Sequence, residues 1–176
     1  TNEDVKKNWD LFPSDVFRNE YTLMYEYGKF AWCADILRLW VVFQCGGIYL
    51  DIDFDCLQHL PAEWMGASHV ICYHRGGDAV SPNGEMSNSI VGGPVGSPIF
   101  KYILDQIVDR NWWYGPSWYG TCVKRYLGMT NKYTDEELLL NFERYNIQGV
   151  DFEDFNRTHL LHRGLYSWSD NYKPEV

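Results

Sequence analysis

A chain of 176 residues with 45% apolar and 22% charged side chains has the material for one folded domain, 1–176, and is no disordered polyelectrolyte. Its 24 Asp and Glu against 15 Lys and Arg leave a net charge of −9, and its densest basic clusters are the pairs Lys6-Lys7 and Lys124-Arg125, so nucleic acid is not an expected partner. The longest apolar run, Ile36 to Phe43, is interrupted by Arg38 and falls far short of the roughly 20 residues of a spanning helix, so no transmembrane segment is expected.

In chain order, Ser14 is a candidate cap for a short helix through Asn19. From Ala31 to Gln44, Ile36, Leu37, Trp40 and Val41 recur at helical spacing, and Gly46-Gly47 stops the helix. Asp35 and Arg38, three apart, share one helix face. Ile48-Tyr49-Leu50 is short and β-prone, a buried strand ending at Asp51, and a second strand is expected over Ser68–Tyr73. His74–Gly84 reads as a Gly/Pro/Ser-rich loop and Ser89–Val91 as a short strand. Ser97 caps and Pro98 opens a helix to about Arg110. Trp112–Gly120 reads as an aromatic loop before a helix at Thr121–Leu127, and Thr134 with Glu137 forms a capping box for a helix to about Tyr145. Val150–Phe152 and Leu160-Leu161 are candidate strands. Strands alternating with helices predict an α/β class with a largely parallel sheet.

Aromatic side chains make up 17% of the chain, enough to line a site as well as a core. The five cysteines are odd in number and widely spaced with no CxxC pair, which argues against a zinc cage and for buried small hydrophobes in a reducing compartment. A cytoplasmic location is favoured on that count, with the Golgi lumen open if an anchor precedes Thr1.

The chemically informative stretch is Gly46-Gly47-Ile48-Tyr49-Leu50-Asp51-Ile52-Asp53-Phe54-Asp55. On an extended chain Asp51, Asp53 and Asp55 would point to one side, and three clustered carboxylates call for a hard divalent cation, Mn²⁺ or Mg²⁺. A calcium EF-loop from Asp51 is excluded, because Cys56 stands where it needs Gly and Ala62 where it needs Glu. An aspartyl-phosphate phosphohydrolase with Asp51 as nucleophile is weakened, since Asp55 replaces the Thr or Val of DxDx[TV]; it stays open, with Asp151 and Asp154 as its second acidic pair.

The stretch resembles the DXD-containing sugar transferases of the glycosyltransferase family 32 type, a group that includes fungal initiating mannosyltransferases, bacterial capsule enzymes and, distantly, the clostridial glucosylating toxins. The resemblance runs through Ala34-Asp35-Ile36-Leu37-Arg38 and Gly46–Asp53, then Asn88–Gly92 with Gly96–Phe100, then Gly115-Pro116, and ends at His162 with Ser167-Trp168. The two strands with which that group begins have no counterpart before Thr1. The resemblance implies a GT-A, Rossmann-like fold, a mostly parallel sheet flanked by helices with the nucleotide at the carboxyl ends of the strands. It also implies a retaining transfer of a hexose from a nucleotide sugar, a UDP-sugar ahead of a GDP-sugar, to a glycan or protein acceptor. On the same basis Asp53 would bind the metal directly, Asp51 would hold it and contact the donor's sugar or ribose, and His162 would be a further metal or diphosphate contact. Asp35 and Arg38 would hold sugar hydroxyls, Tyr49 would border the donor and Asn88 face its sugar, and Ser167 and Trp168 would hydrogen-bond the leaving phosphate. Trp112, Trp113 and Trp118 are candidates for stacking on an acceptor sugar. A catalytically silent sugar- or nucleotide-binding module is the remaining reading.

Overall fold

The computed structural model describes residues 2–12, 14–74, 86–107, 114–129 and 134–162. In chain order the elements are α1 (Asn2–Lys7), a 3₁₀ turn (Trp9–Leu11), α2 (Asp15–Glu26), α3 (Phe30–Cys45), β1 (Gly47–Leu50), β2 (Phe54–Cys56), α4 (Glu63–Gly66), β3 (His69–Tyr73), β4 (Met86–Gly93), α5 (Pro98–Leu104), α6 (Pro116–Tyr126), α7 (Asp135–Arg144), β5 (Ile147–Asp151), α8 (Phe152–Thr158) and β6 (Leu160–His162).

Ser14 caps α2, its Oγ accepting from Phe17 N at 3.1 Å. The helix runs a full turn and more past Asn19, because Phe17, Tyr21 and Met24 recur at three- and four-residue steps and are buried together. α3 is apolar on nearly every side and buries Cys33, Ile36, Leu39, Trp40 and Val42 beneath the sheet. It stops where Gly46 takes φ +67°, a left-handed turn that a β-carbon would strain and that would set that carbon 3.1 Å from Val95 N.

The main sheet has the order β1-β4-β3-β5. β4 runs antiparallel to both β1 and β3, and β3 runs parallel to β5. The expected α/β fold is therefore present, but the sheet is mixed where a mostly parallel one was expected. No helix lies between β1 and β2, and the link from β3 to β4 includes residues outside those described; antiparallel neighbours need no helical crossover. One consequence matters for function: β1, β3 and β5 share a direction, so their carboxyl ends meet along one edge of the sheet, where ligands bind in open α/β folds.

Side chains alternate across β3. Ile71 and Tyr73 join the core under α2, α3, α5 and α6, while Val70 and Cys72 join Trp64, Ile90, Val150 and Phe155 on the other face. On that second face a two-stranded ribbon pairs β2 with β6, Phe54 opposite His162. β2 had been hidden in the acidic run, and the Trp112–Gly120 loop ends earlier than expected, since Pro116 opens α6. The Thr134–Glu137 capping box forms as expected. Cys33, Cys72 and Cys122 are buried, but Cys45 and Cys56 are exposed, against the reading of all five as core hydrophobes; they stand at the last residues of α3 and β2. Among the described residues no helix is long and apolar enough to cross a membrane.

Two polar features of the core have measurable consequences. Tyr119 on α6 is fully buried and its hydroxyl has no hydrogen-bond partner among the described residues. Tyr119→Phe keeps the ring and removes that hydroxyl, so chemical denaturation should find stability unchanged or higher by about 1 kcal/mol. A clear loss would show that the hydroxyl is satisfied. His69 Nε2 lies 2.6 Å from Ser97 Oγ and Nδ1 lies 3.1 Å from Ser68 Oγ. Ser97 Oγ also accepts from Phe100 N, and Ser68 Oγ donates to Asn146 O, so a neutral imidazole fits the chain of donors. Burial holds the His69 pKa down at about 4. The unfolded chain therefore takes up the proton first, and stability should fall as pH drops from about 6.5 to 4, by up to about 3 kcal/mol. Asp35, discussed below, has the opposite sign in the same window. Denaturation of wild type and His69→Gln at pH 7 and pH 5 isolates the contribution of His69, and an equal pH response in both would remove it.

Candidate functional site

The site forms where the middle of α3 meets the carboxyl end of β1 and the amino end of β4. Asp35 and Arg38 lie one turn apart on α3, and although both are charged, each is only 8% exposed. Charges are buried at this level only when paired. Arg38 Nη1 lies 2.8 Å from Asp51 Oδ1 and 2.9 Å from Asn88 O, Nη2 lies 3.1 Å from Asp35 Oδ1, and Nε donates to Ala34 O at 3.2 Å. Every guanidinium nitrogen is thus engaged by the protein, and the group also sits 5.1 Å from the centre of the Tyr49 ring. Tyr49 OH donates to Asp51 Oδ1 at 2.8 Å, and Asn88 Nδ2 donates to Asp35 Oδ1 at 2.8 Å.

Asn88 reaches α3 through an irregularity in β4. Ile71 pairs with Val91 but Cys72 pairs with Ser87, so Asn88, Ser89 and Ile90 have no opposite number on β3. The strand leaves β3 at that point and stays with β1, Asp51 N donating to Ser89 O at 3.0 Å. Bulges of this kind re-aim side chains beside functional sites, and here one turns Asn88 onto Asp35. Burial is the main influence on Asp35 and pushes its pKa up to about 6, against the opposing pull of Arg38 and the Asn88 hydrogen bond; the nearby Asp51 charge adds to the rise. Burial likewise raises the Tyr49 phenol above its usual range, so it remains a donor.

The acidic run does not stay extended. Phe54 N donates to Asp51 O at 3.2 Å, closing a turn over Ile52-Asp53, and Asp55 then lies exposed within β2. The expectation that Asp51, Asp53 and Asp55 project to one side fails, because the turn hands the chain from the main sheet to the ribbon. Asp51 and Asp53 remain together at the turn, while Asp55 leaves with β2. The β2–β6 pairing brings the backbone of His162 opposite Phe54, one residue from Asp53, across a separation of more than a hundred residues that local sequence does not reveal. Ser167, Trp168, Trp112 and Trp113 lie outside the described residues. Trp118 is partly buried on α6 and meets Tyr114 edge-on with ring centres 5.0 Å apart, so part of its face is committed to local packing. Asp151 and Asp154, the acidic pair needed by the phosphohydrolase reading, are set on and after β5, at the opposite edge of the sheet from β1.

Among the described residues no group of three or more His, Cys, Asp or Glu is placed to hold a metal ion. Two carboxylates nonetheless suit Mg²⁺ or Mn²⁺, which is commonly held by one or two carboxylates with substrate phosphates and water completing the shell. Asp51 is 25% exposed at its side chain, and both of its hydrogen bonds fall on Oδ1. Its Oδ2 is thus an available hard-oxygen donor, and Asp53 is the second carboxylate of the turn.

Residues 2–71 match the family model described as the glycosyltransferase sugar-binding region containing DXD motif, a span that takes in Asp35, Arg38, Tyr49, Asp51 and Asp53. Among solved structures, the PaToxG glycosyltransferase matches with a TM-score of 0.51 and 21% identity, over 78% of this chain and 49% of that one. The chain thus spans about half the length of that structure, and the likeness is one of fold. No curated protein matches the chain in sequence. The α/β architecture is accordingly GT-A-like in fold, and Asp35, Asp51 and Asp53 lie within the stretch that the DXD family model matches.

Proposed function

We propose that the protein is a metal-dependent, retaining glycosyltransferase that moves a hexose from a nucleotide sugar, a UDP-sugar in preference to a GDP-sugar, to a glycan or protein acceptor. The observation that carries this reading is the cluster of Asp35, Arg38, Tyr49 and Asp51 at the carboxyl end of β1, inside the matched DXD region, with Asn88 brought onto it from β4. Asp51 and Asp53, with His162, would hold Mn²⁺ or Mg²⁺. The ion would supply positive charge to the departing diphosphate, which reconciles an acidic protein with an anionic donor. Asp35, held against Arg38 and Asn88, offers its second oxygen to hydroxyls of the transferred sugar. A helix mid-section and a strand end are rigid supports, as orientation requires.

Ser167 and Trp168 complete the reading as hydrogen-bond donors to the leaving phosphate. Trp168→Phe would delete one such donor while keeping a ring in place. It should depress kcat on the order of 10²-fold with a smaller change in donor KM. A tryptophan that only packs would instead lower the melting temperature and leave kcat of the folded protein as it was.

Assay of a panel of UDP- and GDP-hexoses with Mn²⁺, with the anomeric form of the product read by NMR, tests the proposal. Turnover of a UDP-hexose with the anomeric configuration kept is the expected result. Hydrolysis of simple phosphate esters without sugar transfer would favour the phosphohydrolase, and binding without turnover a silent module.

A further inference from the structure

Asp35 and Asp51 are held in the same unusual way. Each carboxylate receives all of its described hydrogen bonds and ion pairs on one oxygen. Oδ1 of Asp51 takes both Arg38 Nη1 and Tyr49 OH, each at 2.8 Å. Oδ1 of Asp35 takes Asn88 Nδ2 at 2.8 Å and Arg38 Nη2 at 3.1 Å. Arg38 lies between the two and is closed in by Ala34 O, Asn88 O and the Tyr49 ring. A side chain with all of its nitrogens spent in this way is poorly placed to serve as a principal substrate contact. Two donors converging on one carboxylate oxygen, however, fix the plane and rotation of that carboxylate, which a single donor does not.

Resting on the proposed function, we infer that Tyr49 and Arg38 are positioning residues that act through Asp51. They hold it by Oδ1 alone, so that Oδ2 is presented at the β1–β2 turn as the oxygen for the cation. This role differs from that of residues that border the donor or grip its sugar. Tyr49 is the better probe, because Tyr49→Phe removes one bond to Oδ1 and leaves the ring under Arg38.

The test is Mn²⁺ binding to the whole chain without any nucleotide sugar, followed by electron paramagnetic resonance or calorimetry, with melting temperature measured alongside. Loss of an orienting partner of a metal ligand weakens metal binding by about 10- to 100-fold. Tyr49→Phe should fall in that range with an unchanged melting temperature. In an Asp51→Ala background the same change should add nothing, since the residue through which it acts has gone. The inference is overturned if Tyr49→Phe binds Mn²⁺ as wild type does, even with a raised donor KM. It is overturned equally if the losses of the two single variants multiply in the double variant, or if wild type binds no Mn²⁺. The proposed function stands or falls separately, on the nucleotide-sugar panel: sugar transfer with unchanged Mn²⁺ affinity in Tyr49→Phe removes the positioning role alone, and coupled Mn²⁺ binding without sugar transfer removes the function alone.

Discussion

Asp53→Ala is expected to lose at least about 10³-fold in turnover of the nucleotide sugar while melting within a degree or two of wild type. Asp53 lies on the turn between β1 and β2, is only partly buried, and is no member of either apolar cluster. Its replacement therefore opens no core cavity, the commonest source of large stability losses. Its carboxylate is nevertheless one of two proposed oxygens for the ion that offsets charge on the leaving diphosphate, and a single preorganised group in that role is worth about 10²–10³-fold even when neutral. Asp51→Ala should be nearly as severe in rate and somewhat worse in stability, because it leaves Arg38 Nη1 and Tyr49 OH without their shared acceptor. Steady-state kinetics at saturating donor, with a thermal melt of the same preparation, reads both quantities. Near-normal turnover in Asp53→Ala would refute the metal assignment.

Arg38→Lys is the second large effect, and it should strike rate and stability together. A plain ion pair on a helix surface would tolerate the exchange, with a change of a few tenths of a kcal/mol. Arg38 is no such residue: it is 8% exposed and bridges Asp35, Asp51 and the Asn88 carbonyl from a flat, forked group. An ammonium keeps the charge but not the fork, so it serves one carboxylate well and leaves other buried acceptors unmet. Loss of activity by 10²-fold or more is expected, with about 1–3 kcal/mol of stability. Full activity in the folded fraction would show that neither carboxylate depends on the guanidinium.

What the sequence made legible follows from how local each signal is. α3 and the strand after it were readable because apolar spacing, a Gly-Gly stop and a short apolar, β-prone run act within a few residues of each other. The Ser97-Pro98 and Thr134–Glu137 helix starts were readable for the same reason, since a cap bonds its own first turn. The turn at Ile52-Asp53 was not, because alternating Asp residues look the same in an extended strand and in a strand–turn–strand; only the pairing of β2 with the distant β6 decides between them. Asn88 is legible as a site residue through the family resemblance, yet its means of reaching Asp35 is a register slip between β3 and β4, and no residue type announces a slip. The Asp35–Arg38 pair was visible as a face of a helix; that Arg38 would be spent on Asp51 and a strand carbonyl depends on packing across elements.

The most direct measurement is release of nucleoside diphosphate from the UDP-hexose that the panel identifies, in wild-type protein stripped with EDTA and then given back Mn²⁺. Release should vanish on stripping, return with Mn²⁺, and fail to return in Asp53→Ala. Release that continues undiminished in the stripped protein would contradict the central claim that the carboxylates following β1 hold the ion on which sugar transfer depends.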